Sequence, residues 1–128
     1  MIILDSSVWV AYMNELDNQH AAAAKVMTEV ILPVVVPEYI MVETCTVLTA
    51  KANKELAVFF LNFISDNNNC DILFSNEVWA RRVINFFKTE APATLSFPDT
   101  ALLYLARDYT VITFDKQLAR AIKKLATK

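Results

Sequence analysis

The chain has 128 residues, 55% of them hydrophobic and 20% charged, with a formal net charge of −2. That is one ordinary domain with enough apolar material for a core, and it excludes a disordered chain or one that coats nucleic acid through bulk positive charge. The complete lack of glycine excludes a P-loop or a G-x-G-x-x-G turn, because both need glycine where the backbone approaches phosphate.

Met1–Leu4 reads as a short apolar strand, stopped by Asp5-Ser6-Ser7, and Val8–Met13 as a short helix. Asn18–Val30, rich in alanine, is a second helix. Ile31–Val36 is a strand in which Pro33 marks an edge position or a late start. Pro37 opens a helix at its favoured first position, and the pattern runs to about Lys51. The next helix spans Asn53 to about Ile64, with Leu56, Phe59, Phe60 and Phe63 at helical spacing. Ser65–Asn69 is a loop using asparagine where glycine is usual. A strand at Asp71–Phe74, a helix at Asn76–Lys88 and a loop at Thr89–Phe97 follow. The chain closes with a helix at Pro98–Arg107, a strand at Thr110–Phe114 and a helix at Lys116–Thr127.

Strands separated by helices predict a single α/β domain, residues 1–128, with three layers (α/β/α) around a parallel sheet of about four to five strands. No apolar run reaches the roughly 18 residues of a membrane span. Asp5 interrupts the N-terminal run too early for a secretory leader. A cytoplasmic protein is therefore expected. Cys45 and Cys70 read as buried free thiols, and His20, without metal-binding partners, as a plain surface residue.

Ligands of parallel sheets bind beyond the carboxyl ends of the strands, at a topological switch point. Asp5 and Asp115 each follow a predicted strand directly. Each could also cap the helix after it. Asp99, in SFPDTALLYLA, follows a serine and a proline and has a comparable reading as part of a helix start. Glu43 has no such reading. It lies two turns into a helix, and its neighbours at helical spacing are Tyr39, Ile40, Val47 and Ala50. An ionised carboxylate on that apolar arc is costly unless it is paired or bound to a metal. Should the four acids converge, two unit charges about 4 Å apart repel by roughly 4 kcal/mol at an effective dielectric near 20. Such a cluster calls for a cation or a raised pKa, and an all-oxygen donor set favours Mg²⁺ or Mn²⁺.

At these residues the sequence resembles the PIN-domain family of metal-dependent ribonucleases, and within it the VapC-type toxins of VapBC toxin–antitoxin pairs. The resemblance runs through IILDSSVWV, VVPEYIMVETCTVL, SFPDTALLYLA and VITFDKQL, in that order along essentially the whole chain. It implies Asp5, Glu43, Asp99 and Asp115 as catalytic, metal-binding acids. Ser7 and Thr113 would orient a carboxylate or a water, and Ser6 has the weaker claim. The implied reaction is metal-dependent hydrolysis of an RNA phosphodiester that leaves a 5′-phosphate. The implied partners are RNA, a VapB-type antitoxin whose peptide occupies the pocket, and a second copy in a homodimer.

Cations for the substrate backbone could come from Lys51 and Lys54, from Arg81 and Arg82, or from Lys116 and Arg120. The last two lie a turn apart beside Asp115 and have the best case. Trp9, Tyr12, Trp79 and the pairs Phe59-Phe60 and Phe86-Phe87 are mostly core, with a remainder for an interface. Other functions stay open at this point: a PIN nuclease of RNA processing, a silent RNA-binding module, or a receiver-type phosphorylation switch. The last requires a phosphoacceptor Asp ending the third strand and a paired acid beside Asp5.

Overall fold

The computed structural model describes residues 1–126. The elements in order are β1 (Ile2–Leu4), α1 (Ser6–Met13), α2 (His20–Glu29), β2 (Val34–Pro37), α3 (Glu38–Lys51), α4 (Lys54–Asp66), β3 (Cys70–Leu73), α5 (Glu77–Thr89), α6 (Phe97–Leu105), β4 (Thr110–Ile112) and α7 (Lys116–Ala126). The four strands form one parallel sheet in the order β3-β2-β1-β4, flanked by the helices. The predicted α/β architecture is therefore present, with four strands.

Register ties the sheet together. Ile2 faces Val34 on one side and Thr110 on the other, Leu4 faces Ile112, and Pro37 faces Leu73. The inner strands are almost wholly buried and consist of Ile, Leu, Val and Pro, as strands covered on both faces must be. The edge strands β3 and β4 are more open, and β3 carries the exposed Asp71, a charge that discourages pairing with another sheet. Pro33 lies just ahead of β2, so the strand starts late. The alternative of an edge position does not hold, because β2 has a neighbour on each side.

Boundaries move where side chains cap helices. The Asp5 carboxylate accepts from the Ser6 backbone N–H at 2.7 Å, so α1 begins at Ser6, two residues before the predicted start. Asn53 and Asn76 cap α4 and α5 in the same way, through the N–H groups of Leu56 and Trp79. Pro37 stays in β2 and precedes α3 instead of opening it. Phe74, predicted in a strand, lies outside β3, and Thr113 and Phe114 lie outside β4. The predicted last residue of the closing helix, Thr127, lies outside the described residues. Among the described residues no φ is positive, so no turn requires the one residue this chain lacks.

The core is one apolar cluster. Trp9 is fully buried, with its ring edge-on to Phe60 at 5.4 Å and Phe63 at 6.0 Å, joining α1 to α4. Helix α3 packs on α1, α4 and α6, and α6 on α5 and α7. Cys45 and Cys70 are free and half-buried, and burial pushes both thiols up, out of the reactive range. His20 is not a bare surface residue: its half-buried ring donates through Nδ1 to the Ala11 carbonyl at 2.8 Å, joining α2 to α1. Among the described residues no helix is long and apolar enough to cross a membrane.

Candidate active site

From β1 the chain steps outward to β2 and β3, then returns to the far side of β1 as β4. The switch point therefore lies between the carboxyl ends of β1 and β4, where an open parallel sheet forms its crevice. Asp5 stands there as the residue after β1, and its N–H continues the ladder to the Ile112 carbonyl at 2.9 Å. Only 3% of Asp5 is exposed, which for a carboxylate demands hydrogen bonds. Thr113 donates to its Oδ2 at 2.6 Å, Ser7 donates to the same oxygen at 3.0 Å, and the Ser6 N–H donates to Oδ1. Thr113 reaches Asp5 from just beyond the end of β4. Ser7 and Thr113 thus do hold a carboxylate, and Ser7 Oγ also accepts from the Phe114 N–H at 3.1 Å.

Ser6 has a role that its position in the sequence does not reveal. Its hydroxyl lies 2.5 Å from Glu43 Oε1 and 3.4 Å from Asp5 Oδ1, so it joins the acid of α3 to the acid after β1. The only sequence signal is a small hydroxyl next to Asp5. The pairing depends on α3 packing against α1, which local sequence does not specify.

Glu38, at the start of α3, accepts from the Ser75 N–H at 3.0 Å and fastens that helix to the segment after β3. Helix α6 is capped by Ser96, whose Oγ accepts from the Asp99 N–H at 3.2 Å. Capping is thus done by the serine, and the half-buried Asp99 carboxylate is left for other work. Asp115 does cap: Oδ1 accepts from the N–H groups of Gln117 and Leu118 at 2.8 and 3.0 Å.

Asp99 feels the charge of the other three acids. Asp99 is raised from its ordinary 3.8 to about 6, first by burial and next by the charge of Asp5. Hydrogen bonding of the carboxyl by the Ser96 side chain opposes the rise, while Asp115 and Glu43 add to it. All four are oxygen donors, without a sulfur or imidazole among them, and such a donor set suits a hard divalent cation. Among the described residues no three acidic, cysteine or histidine side chains stand close enough to cage an ion; the acids concentrate charge without closing around it.

Lys116 and Arg120 lie exposed on α7, immediately after Asp115. Arg81 pairs with Glu77 at 3.2 Å on the open face of α5, an ordinary solvated pair. On the α3 side, Tyr39, Val42, Glu43, Val47 and Pro98 line a hollow of about 620 Å³. Val42, which lines it, and Phe74 and Val78, which follow β3, are each more than half exposed. A receiver-type switch is excluded, because β3 is followed by Phe74 instead of an aspartate and β1 by a single acid.

A model of the PIN domain matches residues 2–124. The fold is similar to the crystal structure of Mycobacterium tuberculosis VapC20, described as a sarcin–ricin loop cleaving toxin. The TM-score is 0.84 at 19% identity, over 94% of this chain and 95% of that one. No curated protein matches the sequence.

Proposed function

The chain belongs to the PIN-domain family, and from that premise we propose that it is a Mg²⁺- or Mn²⁺-dependent endoribonuclease, the toxin of a VapBC-type toxin–antitoxin pair acting in the cytoplasm. The observation that carries this reading is that Asp5, Glu43 and Asp115 all act on Asp99, whose carboxyl is raised to about 6 first by burial and then by their charges, while Ser6 links Asp5 to Glu43. The structural similarity to an RNA-cleaving toxin supports the same reading.

Asp5, Glu43, Asp99 and Asp115 are the proposed ligands. When bound there, the ion supplies an acidified water and charge stabilisation at the phosphoryl group and the leaving oxygen. The protein's own part is positional. Ser7 and Thr113 fix Asp5, Ser6 fixes Glu43, and Ser96 holds the start of α6 so that Asp99 faces the other acids. Lys116 and Arg120 offer positive charge to an anionic backbone. Water is the proposed nucleophile, because no histidine stands at the site to activate a ribose hydroxyl. A 5′-phosphate product follows. A second copy is proposed to cover exposed apolar side chains such as Val42, Phe74 and Val78. A VapB-type antitoxin is proposed to occupy the acidic pocket.

The test is cleavage of end-labelled RNAs by purified protein with Mn²⁺, with Mg²⁺, with EDTA, and with Asp99→Asn. Cutting that needs the metal and Asp99 and leaves 5′-phosphates is expected. A 2′,3′-cyclic phosphate end, or cutting undiminished in EDTA, overturns the mechanism.

A further inference from the structure

We propose that the cleft between α7 and the 92–95 segment is the path by which an RNA strand leaves the acidic pocket, its backbone phosphates held by Arg120 with Gln117 and Thr94; this rests on the nuclease reading above. The cleft has a volume of about 230 Å³, with Pro92, Thr94 and Leu95 on one side and Gln117, Arg120, Ala121 and Lys124 on the other. Both walls begin at candidate acids. The 92–95 segment runs directly into Ser96 and the α6 turn that carries Asp99. Helix α7 starts at Asp115, which accepts from the Gln117 N–H. From there Gln117, Arg120, Ala121 and Lys124 follow one another at helical spacing on one face, a stripe about 10 Å long. That is long enough to follow more than one phosphate of a strand.

Charge selects this exit over the larger one. A strand whose scissile phosphate sits among four carboxylates meets repulsion at each neighbouring phosphate unless cations stand nearby. The hollow beside α3 is more than twice as large, yet it presents Glu38 and Glu43 and no basic side chain. The α7 cleft presents Arg120 and Lys124 and no acid. Helix α7 itself, KQLARAIKKLA, has four basic residues and no acidic one. Arg120 is exposed and forms no ion pair among the described residues; its Nε–H donates to the Lys116 carbonyl at 3.3 Å, which leaves the terminal nitrogens for a phosphate. Gln117 and Thr94 add uncharged donors on opposite walls.

The experiment separates this path from the chemistry. Binding of single-stranded RNA is measured by fluorescence anisotropy in EDTA across a salt series, for wild type, Arg120→Ala, Arg120→Glu, and Lys25→Ala on α2 as the control. Arg120→Ala should weaken binding by roughly three- to tenfold and flatten the log–log salt slope by about 0.7, the share of one phosphate on a single strand. Arg120→Glu should weaken it further, and Lys25→Ala should match wild type. In Mn²⁺, Arg120→Ala should raise KM while leaving kcat unchanged. Trimming the RNA on one side of the cut, and not on the other, should erase that difference. If wild type binds RNA while Arg120→Ala and Arg120→Glu retain its affinity and salt slope, the path is overturned and the nuclease reading stands. RNA bound through Arg120 but never cut in any metal overturns the nuclease reading and keeps the path. Equal losses in Lys25→Ala also overturn it, since the effect would then be bulk charge.

Discussion

Replacing Asp99 by asparagine should make the metal-free protein more stable while abolishing its proposed activity. The carboxyl is raised from 3.8 to about 6 by burial and by the charges of Asp5, Asp115 and Glu43. Ionised, it therefore opposes folding. The rise has a ceiling of about 3 kcal/mol, and solvent still reaches the half-buried group, so screening leaves roughly 1 kcal/mol. For a chain of this size that is a gain of about 3–5 °C in melting temperature. The size of the gain depends on pH. Below pH 3.8 the group is protonated in both states and asparagine gains nothing. Between 3.8 and about 6 the unfolded chain ionises first, and above 6 the native state carries the whole penalty. Thermal melts followed by circular dichroism in EDTA at pH 4, 6 and 7.5 should show the advantage of Asp99→Asn growing and then levelling. Added Mn²⁺ should reverse the order, because the ion binds the native wild type. A variant that melts at or below wild type at pH 7.5, or whose advantage is the same at pH 4, would refute the electrostatic account of the site.

Two further substitutions probe the hydroxyl scaffold. Thr113→Val removes the 2.6 Å hydrogen bond to the buried Asp5 carboxylate at nearly constant volume, and chemical denaturation should report a loss of about 1.5–3 kcal/mol. Ser6→Ala frees Glu43 from its 2.5 Å partner. Metal affinity, read by calorimetry, should fall about 10–100-fold with little change in melting temperature, and Ser6→Thr should restore much of it.

The alternation of strands and helices was readable because the strands are short and mostly apolar and most helix starts have a cap or a proline. Glu43 was readable for a physical reason: a carboxylate on an apolar arc lacks a local explanation, and the structure supplies a tertiary one in Ser6. Asp5 and Asp115 were ambiguous in sequence because capping and site-building use the same residue at the same place, and the structure has both acids capping their helices. Asp99 was ambiguous because an acid in the first turn of a helix is also explained by the dipole, although Ser96 was readable as the cap and does cap α6. Strand ends were less legible. Apolar character continues through Phe74 and Phe114 after sheet pairing has stopped. The role of Ser6 was invisible, since it is set by helix packing between residues 37 positions apart.

The pairing of β1 with β4 has a consequence for the newly made chain. Strands β1, β2 and β3 have all emerged by Leu73, but the other neighbour of β1 arrives only at Thr110, and Thr113, which secures Asp5, follows three residues later. Closing the sheet across more than a hundred residues is the slow, non-local step of this topology. Until it happens, Asp5 lacks its threonine, and Asp99 and Asp115 have no common crevice to enter. The acidic crevice is thus a late product of folding, assembled only once the last strand has paired.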